Sequence, residues 1–279
     1  MSYLNAINIA PFTRHSQAFP CRFLKEFGRD DPHIIGHFFL MQQFLLGDKS
    51  FWWPYIRLLP QPDESQKLGI IWWPEEDQRF LKGTNAEPAI QERKKLWTAA
   101  WEAGIAILKE TLLDWEDYGY GLYQWAATIF GTRSFRASLT VPEEIFPGVF
   151  DGQSMVHIMK DNFSILLPIL DIGNHNGINT LDWQPRLVTG MSLVSRVPVA
   201  QGEQIFNFYG NKSNSELLVG YGFILPASSV GKDIVYFKLR PSQGASVLYR
   251  DLDCHIVTED EFLFELKRLV FSSFFQTIS

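Results

Sequence analysis

The sequence predicts an α+β fold in which small β-sheets carry a large helical insertion, and three observations predict it. Between about residues 31 and 131 the apolar positions recur every three or four residues, the period of a buried helix face. Between about 163 and 240 they change to short alternating or continuous runs broken by Gly, Asn and Pro, as brief strands and turns require. A third stretch near 3–9, Tyr3-Leu4-Asn5-Ala6-Ile7-Asn8-Ile9, supplies the first structured segment and a further piece of sheet.

Taken in order, a loop runs from there through Pro20. Asp31-Pro32 then opens a helix, with Asp as N-cap and Pro at the first helical position, and Gly47 closes it. Ile34, Phe38, Met41 and Leu45 form its apolar stripe, widened by Ile35, Phe39 and Leu46. His33 and His37 lie one turn apart, a spacing that two metal ligands share, but no third ligand is nearby and surface or core placement is expected. The aromatic block Ser50-Phe51-Trp52-Trp53-Pro54-Tyr55-Ile56 has the side chains of a base-stacking platform, and a core anchor is the favoured reading.

Asn85 and Pro88 begin a long helix whose buried stripe is Trp97, Trp101, Ile105, Leu108 and Leu112. A second helix follows the Tyr118-Gly119-Tyr120 corner with Leu122, Trp125, Ala126 and Ile129, ending at Thr132-Arg133-Ser134. Residues 135–162 are a long connection with no assigned role. Ile165–Leu170 and Leu187–Val197 read as strands, and Pro198 to Glu203 as a turn into the strand Ile205–Phe208. Lys212-Ser213-Asn214 is a helix entry, Ile234–Leu239 alternates weakly, and Thr258-Glu259-Asp260-Glu261 caps a final helix.

At 279 residues with 46% apolar and 15% aromatic content, the chain has material for a large core in one or two domains. A net charge of −6, from 25 basic and 31 acidic residues, gives no support to wholesale binding of nucleic acid. Two cysteines, Cys21 and Cys254, make neither a disulfide framework nor a tetrahedral zinc site, and imply a reducing cytoplasm or nucleus. No leader-like or membrane-length apolar run is read, nor any repeat, and oligomeric state is not legible.

The chemistry concentrates between Ile165 and Phe223. There Asp171-Ile172-Gly173-Asn174-His175 follows an apolar run, and Phe208-Tyr209-Gly210 and Tyr221-Gly222-Phe223 end in Tyr-Gly corners. Asn, His and two tyrosine hydroxyls beside Gly turns suit a grip on a polar small molecule. Taken singly, each residue has a plainer role: Asn174 caps a turn, His175 is a satisfied core histidine, and Tyr209 and Tyr221 are anchors.

As an ordered set, Asp171-x-x-Asn174-His175, Phe208-Tyr209-Gly210, Lys212-Ser213-Asn214-x-Glu216-Leu217-Leu218 and Tyr221-Gly222-Phe223 resemble the C-terminal half of a SET domain, in the Rubisco-methyltransferase-like branch. The block from Ser50 to Pro60, with Phe80-Leu81-x-Gly83-Thr84, is similar to the helical insertion of that branch. The resemblance implies a SET-type fold and S-adenosylmethionine as cofactor. It implies transfer of a methyl group to a protein substrate, lysine-directed and non-histone, with no direct nucleic acid or membrane partner. Arg133, Asp171, Asn174, His175, Gly222 and Phe223 are the implied cofactor contacts, and Tyr209 and Tyr221 the implied catalytic tyrosines, either of which suits the methyl-transfer channel.

The resemblance runs from about Tyr3 to Phe271 and divides the chain into a SET-like part, 1–223, and a remnant of a C-terminal helical substrate-binding region, 224–279. The branch's Gly-x-Gly strand pair is not found before Tyr3, so weakened cofactor binding is expected. Three readings follow: an active methyltransferase, a SET-derived binding module without methyl transfer, and a pocket reused for another small-molecule reaction. The first is favoured, because all of the implied site residues are present together.

Overall fold

The computed structural model describes residues 19–84, 86–110, 114–137, 163–186, 190–226, 233–238 and 249–254. Five helices dominate: α1 (Cys21–Asp30), α2 (Pro32–Leu45), α3 (Ala86–Leu108), α4 (Tyr120–Arg133) and α5 (Asn214–Tyr221). Helix α2 is central. The Asp31 carboxylate accepts the His33 backbone N–H at 3.2 Å and Pro32 occupies the first turn, while Gly47 at φ 54° follows the helix end. Ile35, Phe38, Phe39, Leu40 and Met41 have almost no solvent exposure, so the helix is apolar nearly all round and enclosed by its neighbours. Leu45, expected on the stripe, is exposed instead.

The neighbours are α1, α3 and α4. Helix α1 was not anticipated; Phe23 and Phe27 lie four apart on its inner face, and the Phe23 ring meets Phe38 edge-on at 5.1 Å. In α3 an added Cβ at Gly104 would stand 2.4 Å from the Phe38 ring, so the glycine lets α3 and α2 approach. Trp97 and Trp101 lie in α3 as expected, half-buried against the core, with Ile105 and Leu108 fully inside. Trp125 of α4 is wholly buried and its indole N–H donates to the Pro60 carbonyl at 2.7 Å. The Ser50–Pro60 block is a core anchor only in part: Tyr55, Ile56 and Leu59 are buried, but Phe51 is exposed.

Among the described residues the sheets are three antiparallel pairs: β1 (Ser134–Arg136) with β2 (Ser164–Leu166), β3 (Leu181–Arg186) with β4 (Gly190–Ser195), and β5 (Asp233–Lys238) with β6 (Tyr249–Cys254). Three strand expectations need correction. The Ile165–Leu170 run is a strand only to Leu166: Pro168 has no N–H for a ladder, Ile169 takes φ 76° at the surface, and Leu170–Ile172 close a 3-10 turn. Ile205–Phe208 is not a strand, and among the described residues it pairs through a single parallel bridge between His175 and Asn207. Of the expected strand Leu187–Val197, residues 187–189 lie outside the described residues and Gly190–Ser195 form β4, whose partner β3 was not foreseen. Residues 1–18, Asn85, Leu112, 138–162 and the expected final helix from Thr258 lie outside the described residues. The α+β architecture of small sheets around a helical insertion stands as the sequence predicts.

Candidate functional site

The Asp171–His175 turn is held from three sides. From the helical insertion, the Tyr55 hydroxyl donates to Asp171 Oδ2 at 2.7 Å. From the end of α4, Arg133 Nη1 donates to the Asp171 carbonyl at 3.2 Å and stands 3.6 Å from Oδ2. From the Asn207 segment, the Asn207 N–H donates to the Asn174 carbonyl at 2.7 Å, and the Asn176 N–H donates to the Asn207 carbonyl at 3.0 Å. The Asp171 side chain is completely buried, and its other oxygen, Oδ1, has no hydrogen-bond partner among the described residues. An unmatched buried carboxylate oxygen is costly in a native fold and marks a place for a donor to arrive.

His175 is buried, and its Nδ1 accepts the Tyr209 backbone N–H at 3.1 Å, which puts the proton of the neutral ring on Nε2. Burial, with the Lys212 ammonium as a second cause, holds the imidazole below its ordinary pKa. The His175 and Tyr209 rings stack at 5.1 Å, and Tyr209 stacks in turn on Tyr221 at 4.9 Å. Phe223 closes the group, 6.2 Å from both His175 and Tyr221. The Asn174-His175 turn and the Tyr221-Gly222-Phe223 corner thus meet in space, as the resemblance requires.

The two tyrosines are not equivalent. The Tyr209 hydroxyl donates to the Gly173 carbonyl at 2.8 Å, so its proton is committed and its lone pairs are left. The Tyr221 hydroxyl makes no hydrogen bond among the described residues. Burial raises the pKa of both phenols, so both stay protonated through the neutral range.

Two cavities flank this stack. One, of about 420 Å³, is lined by Arg136, Trp183, Phe208 and Lys212, among others; the other, of about 170 Å³, by Asn174, Ile172 and Phe223. Thr132, Arg133, Asp171, Tyr209 and Tyr221 belong to both walls. A larger hollow of about 450 Å³ lies elsewhere, between α2, α3 and α4. It holds His37, whose Nδ1 lies 3.2 Å from the Tyr123 hydroxyl and whose pKa burial lowers to about 3. No group of three metal-ligating side chains occurs among the described residues.

The predicted residues therefore converge, with two adjustments. Arg133 lines both cavities but is already engaged with Asp171 through Nη1. Gly222 is a backbone requirement: it caps α5 at φ 81°, and a Cβ there would stand 2.6 Å from the Gly69 Cα. Sequence reasoning missed Tyr55 and Asn207. Tyr55 was placed in the core, where its ring is, but a buried phenol needs a partner for its hydroxyl, and that is the signal that pointed onward. Asn207, an Asn amid Ile205, Phe206 and Phe208 and 2% exposed, carried a similar signal.

No family model matches the chain. It is 32% identical over 245 residues to ribosomal lysine N-methyltransferase set10 of Schizosaccharomyces pombe, a match covering 86% of this chain and 39% of that protein. The chain thus spans well under half the length of that relative. Its fold matches the crystal structure of the SET domain of LSMT bound to methyllysine and AdoHcy, with TM-score 0.57 at 20% identity, covering 85% of this chain and 53% of that one. Rubisco LSMT bound to AdoMet matches with TM-score 0.58 at 21% identity, covering 84% and 52%. The chain thus has the SET-domain fold and is similar along most of its length to a lysine N-methyltransferase.

Proposed function

We propose that this site transfers a methyl group from S-adenosylmethionine to the side-chain amine of a lysine in a non-histone protein. The observation that carries the reading is the pair of cavities meeting at one wall. A transfer in line needs donor and acceptor held on opposite sides of a short gap, and the stacked Tyr209 and Tyr221 stand at such a gap. Similarity to lysine N-methyltransferases of Schizosaccharomyces pombe and Danio rerio supports the same chemistry.

The residues fit the cofactor. The orphaned Asp171 Oδ1 offers an acceptor for an ammonium, Arg133 offers donors for a carboxylate, and Asn174 and Phe223 offer polar and aromatic contacts for a heterocycle, with His175 stacked on Tyr209 beside them. When bound, S-adenosylmethionine supplies an electrophilic methyl group on a sulfonium. The chain's own part is placement. Tyr209, its hydroxyl proton held by Gly173, turns lone pairs to the gap, where they orient an amine N–H. Tyr221, free to donate or accept, completes the ring of oxygens, and the aromatic faces favour a cation beside them.

The SET-like part is taken as 1–223 and residues 224–279 as serving substrate, with action in the cytoplasm or nucleus, where Cys21 and Cys254 stay reduced. No helix among the described residues is long and apolar enough to cross a membrane. Incubation with labelled S-adenosylmethionine and a ribosomal protein fraction tests the reading. Label in protein, released by hydrolysis as methyllysine and lost in Tyr221→Phe, is expected. Cofactor binding by calorimetry without any label transfer would favour a binding module, and no binding would remove the reading.

A further inference from the structure

The Lys212 side chain, like Arg136, faces only one of the two cavities, whereas Arg133 faces both. It lines the 420 Å³ cavity and not the 170 Å³ one, and its Nζ sits over the Tyr221 ring, 5.7 Å from the centroid. No carboxylate among the described residues pairs with it. We infer that Lys212 selects the neutral form of the substrate amine: its charge, at the wall of the acceptor cavity, disfavours entry of the ammonium and keeps the site from filling with a species that cannot react. The inference rests on the methyl-transfer reading and names how the same cavity handles protonation.

The other charges around the cavity do not cancel Lys212. Arg133 and Asp171 face one another and compensate locally. Tyr209 and Tyr221 are neutral phenols, and His175 is a neutral ring whose proton affinity Lys212 itself helps to depress. Glu216, on the same helix, is turned to the backbone N–H and hydroxyl of Ser213. Arg136 on β1 also lines the cavity and brings no negative charge to it. A cation in the wall of the same cavity, at an effective dielectric of about 20 and after solvent screening, lowers the pKa of a bound amine by about one unit. A neighbouring cation is a known way of unmasking a lysine nucleophile. The ammonium gives its proton to water. Its freed lone pair then forms the N–C bond while the S–C electron pair returns to sulfur, leaving a methylated ammonium and a neutral thioether.

The signature is a split between kinetic constants. If Lys212 only excludes the unreactive ammonium, removing its charge raises the pKa seen in kcat and lets ammonium bind. Both kcat and KM then fall, while kcat/KM, which reports free substrate and free enzyme, hardly moves. The experiment compares wild type, Lys212→Met, Lys212→Gln and Lys212→Arg with Nα-acetyl-lysine amide as acceptor between pH 7 and 10.5. At pH 7.5 the two neutral variants are expected to lose about tenfold in kcat and in KM together, with the kcat profile moved up by about one unit, and Lys212→Arg to behave as wild type. The His175 titration, followed by NMR, moves up in the same neutral variants and confirms that they are folded. An unmoved kcat profile, or a loss confined to kcat/KM, overturns the inference. Should wild type itself transfer no methyl group, the methyl-transfer reading falls. Binding of the same amide then decides the inference alone: about tenfold tighter binding by Lys212→Met at pH 7.5 but not at 10.5 supports it, and equal or absent binding overturns it.

Discussion

The helical insertion and the site segment bury different things. Between residues 19 and 137 the interior is a mass of Phe, Ile, Leu and Trp, with Phe23, Phe38, Tyr123 and Trp125 fully enclosed. Among the described residues from 163 to 226, the buried apolar side chains are Phe163, Leu166, Leu181 and Leu217, and they are matched by buried Asp171, His175, Asn207 and Ser213. Ile169, Ile172, Ile178, Ile205 and Ile224 of the same segment face solvent. One region is held by apolar area, the other by directed hydrogen bonds on a few turns. Burial holds a shape loosely in direction but strongly in energy, whereas hydrogen bonds set angles and distances at about 1 kcal/mol each. The site is precise because the helices behind it are stable.

The sharpest way to break that comparison is Trp125→Ala. Loss of a fully buried indole, and of the donor to the Pro60 carbonyl, should cost about 3–5 kcal/mol in urea unfolding. A loss under about 1 kcal/mol would mean that stability does not reside in the helical core.

Next in size is Tyr55→Phe, which cuts the link between the regions. Tyr55 is 9% exposed and its hydroxyl bonds a fully buried carboxylate, so about 1.5–3 kcal/mol of stability should go. Because Asp171 loses a constraint as well, S-adenosylmethionine binding measured by calorimetry should weaken in the same variant. A stability change without any change in binding would place Tyr55 in the core alone.

His37 tests the helical region by pH. Its pKa is depressed from 6.5 to about 3, so the unfolded chain binds a proton that the folded chain refuses between those values. Stability is therefore unaffected above about pH 6.5 and falls as pH drops toward 3, by up to about 1.4 kcal/mol per unit. His37→Gln should flatten this slope in chemical denaturation at pH 4, 5 and 6, relative to wild type. Equal slopes would mean that the imidazole is solvated.

The smallest effect is expected at the surface of the β3–β4 hairpin. Arg196 donates to Asp182 across the hairpin, with both side chains well exposed, and such a pair is screened by water and salt. Asp182→Asn should leave the unfolding midpoint where it is; a clear drop would show the strand segment leaning on its ion pairs more than the comparison allows.

Legibility divides along the same line. In the helical region the Asp31-Pro32 start, the Gly47 stop and the Trp97 and Trp101 faces were readable, because caps and a 3.6-residue period are local signals. Helix α1 was overlooked although Phe23 and Phe27 already marked its face. In the site segment the residue types and their order were readable, and so was the Lys212-Ser213-Asn214 entry to α5. Strand extents were not: whether Ile165–Leu170 or Ile205–Phe208 pairs with anything depends on what stands beside it, and there β2 stops at Leu166 and Asn207 alone forms a bridge.

The sequence by itself determined the α+β class, the starts and faces of α2, α3 and α4, and most of the side chains gathered at the candidate site, since those follow from periodicity, capping and residue chemistry within a few positions of one another. Only the tertiary structure decided that Tyr55 reaches Asp171 across 116 positions, that Gly222 exists to let Gly69 approach, and that Tyr209, Tyr221 and His175 stack between two cavities. Such pairings carry no local signal. They arise when the apolar faces of α2, α3 and α4 bury one another and bring the ends of those helices, and the turns attached to them, to one place.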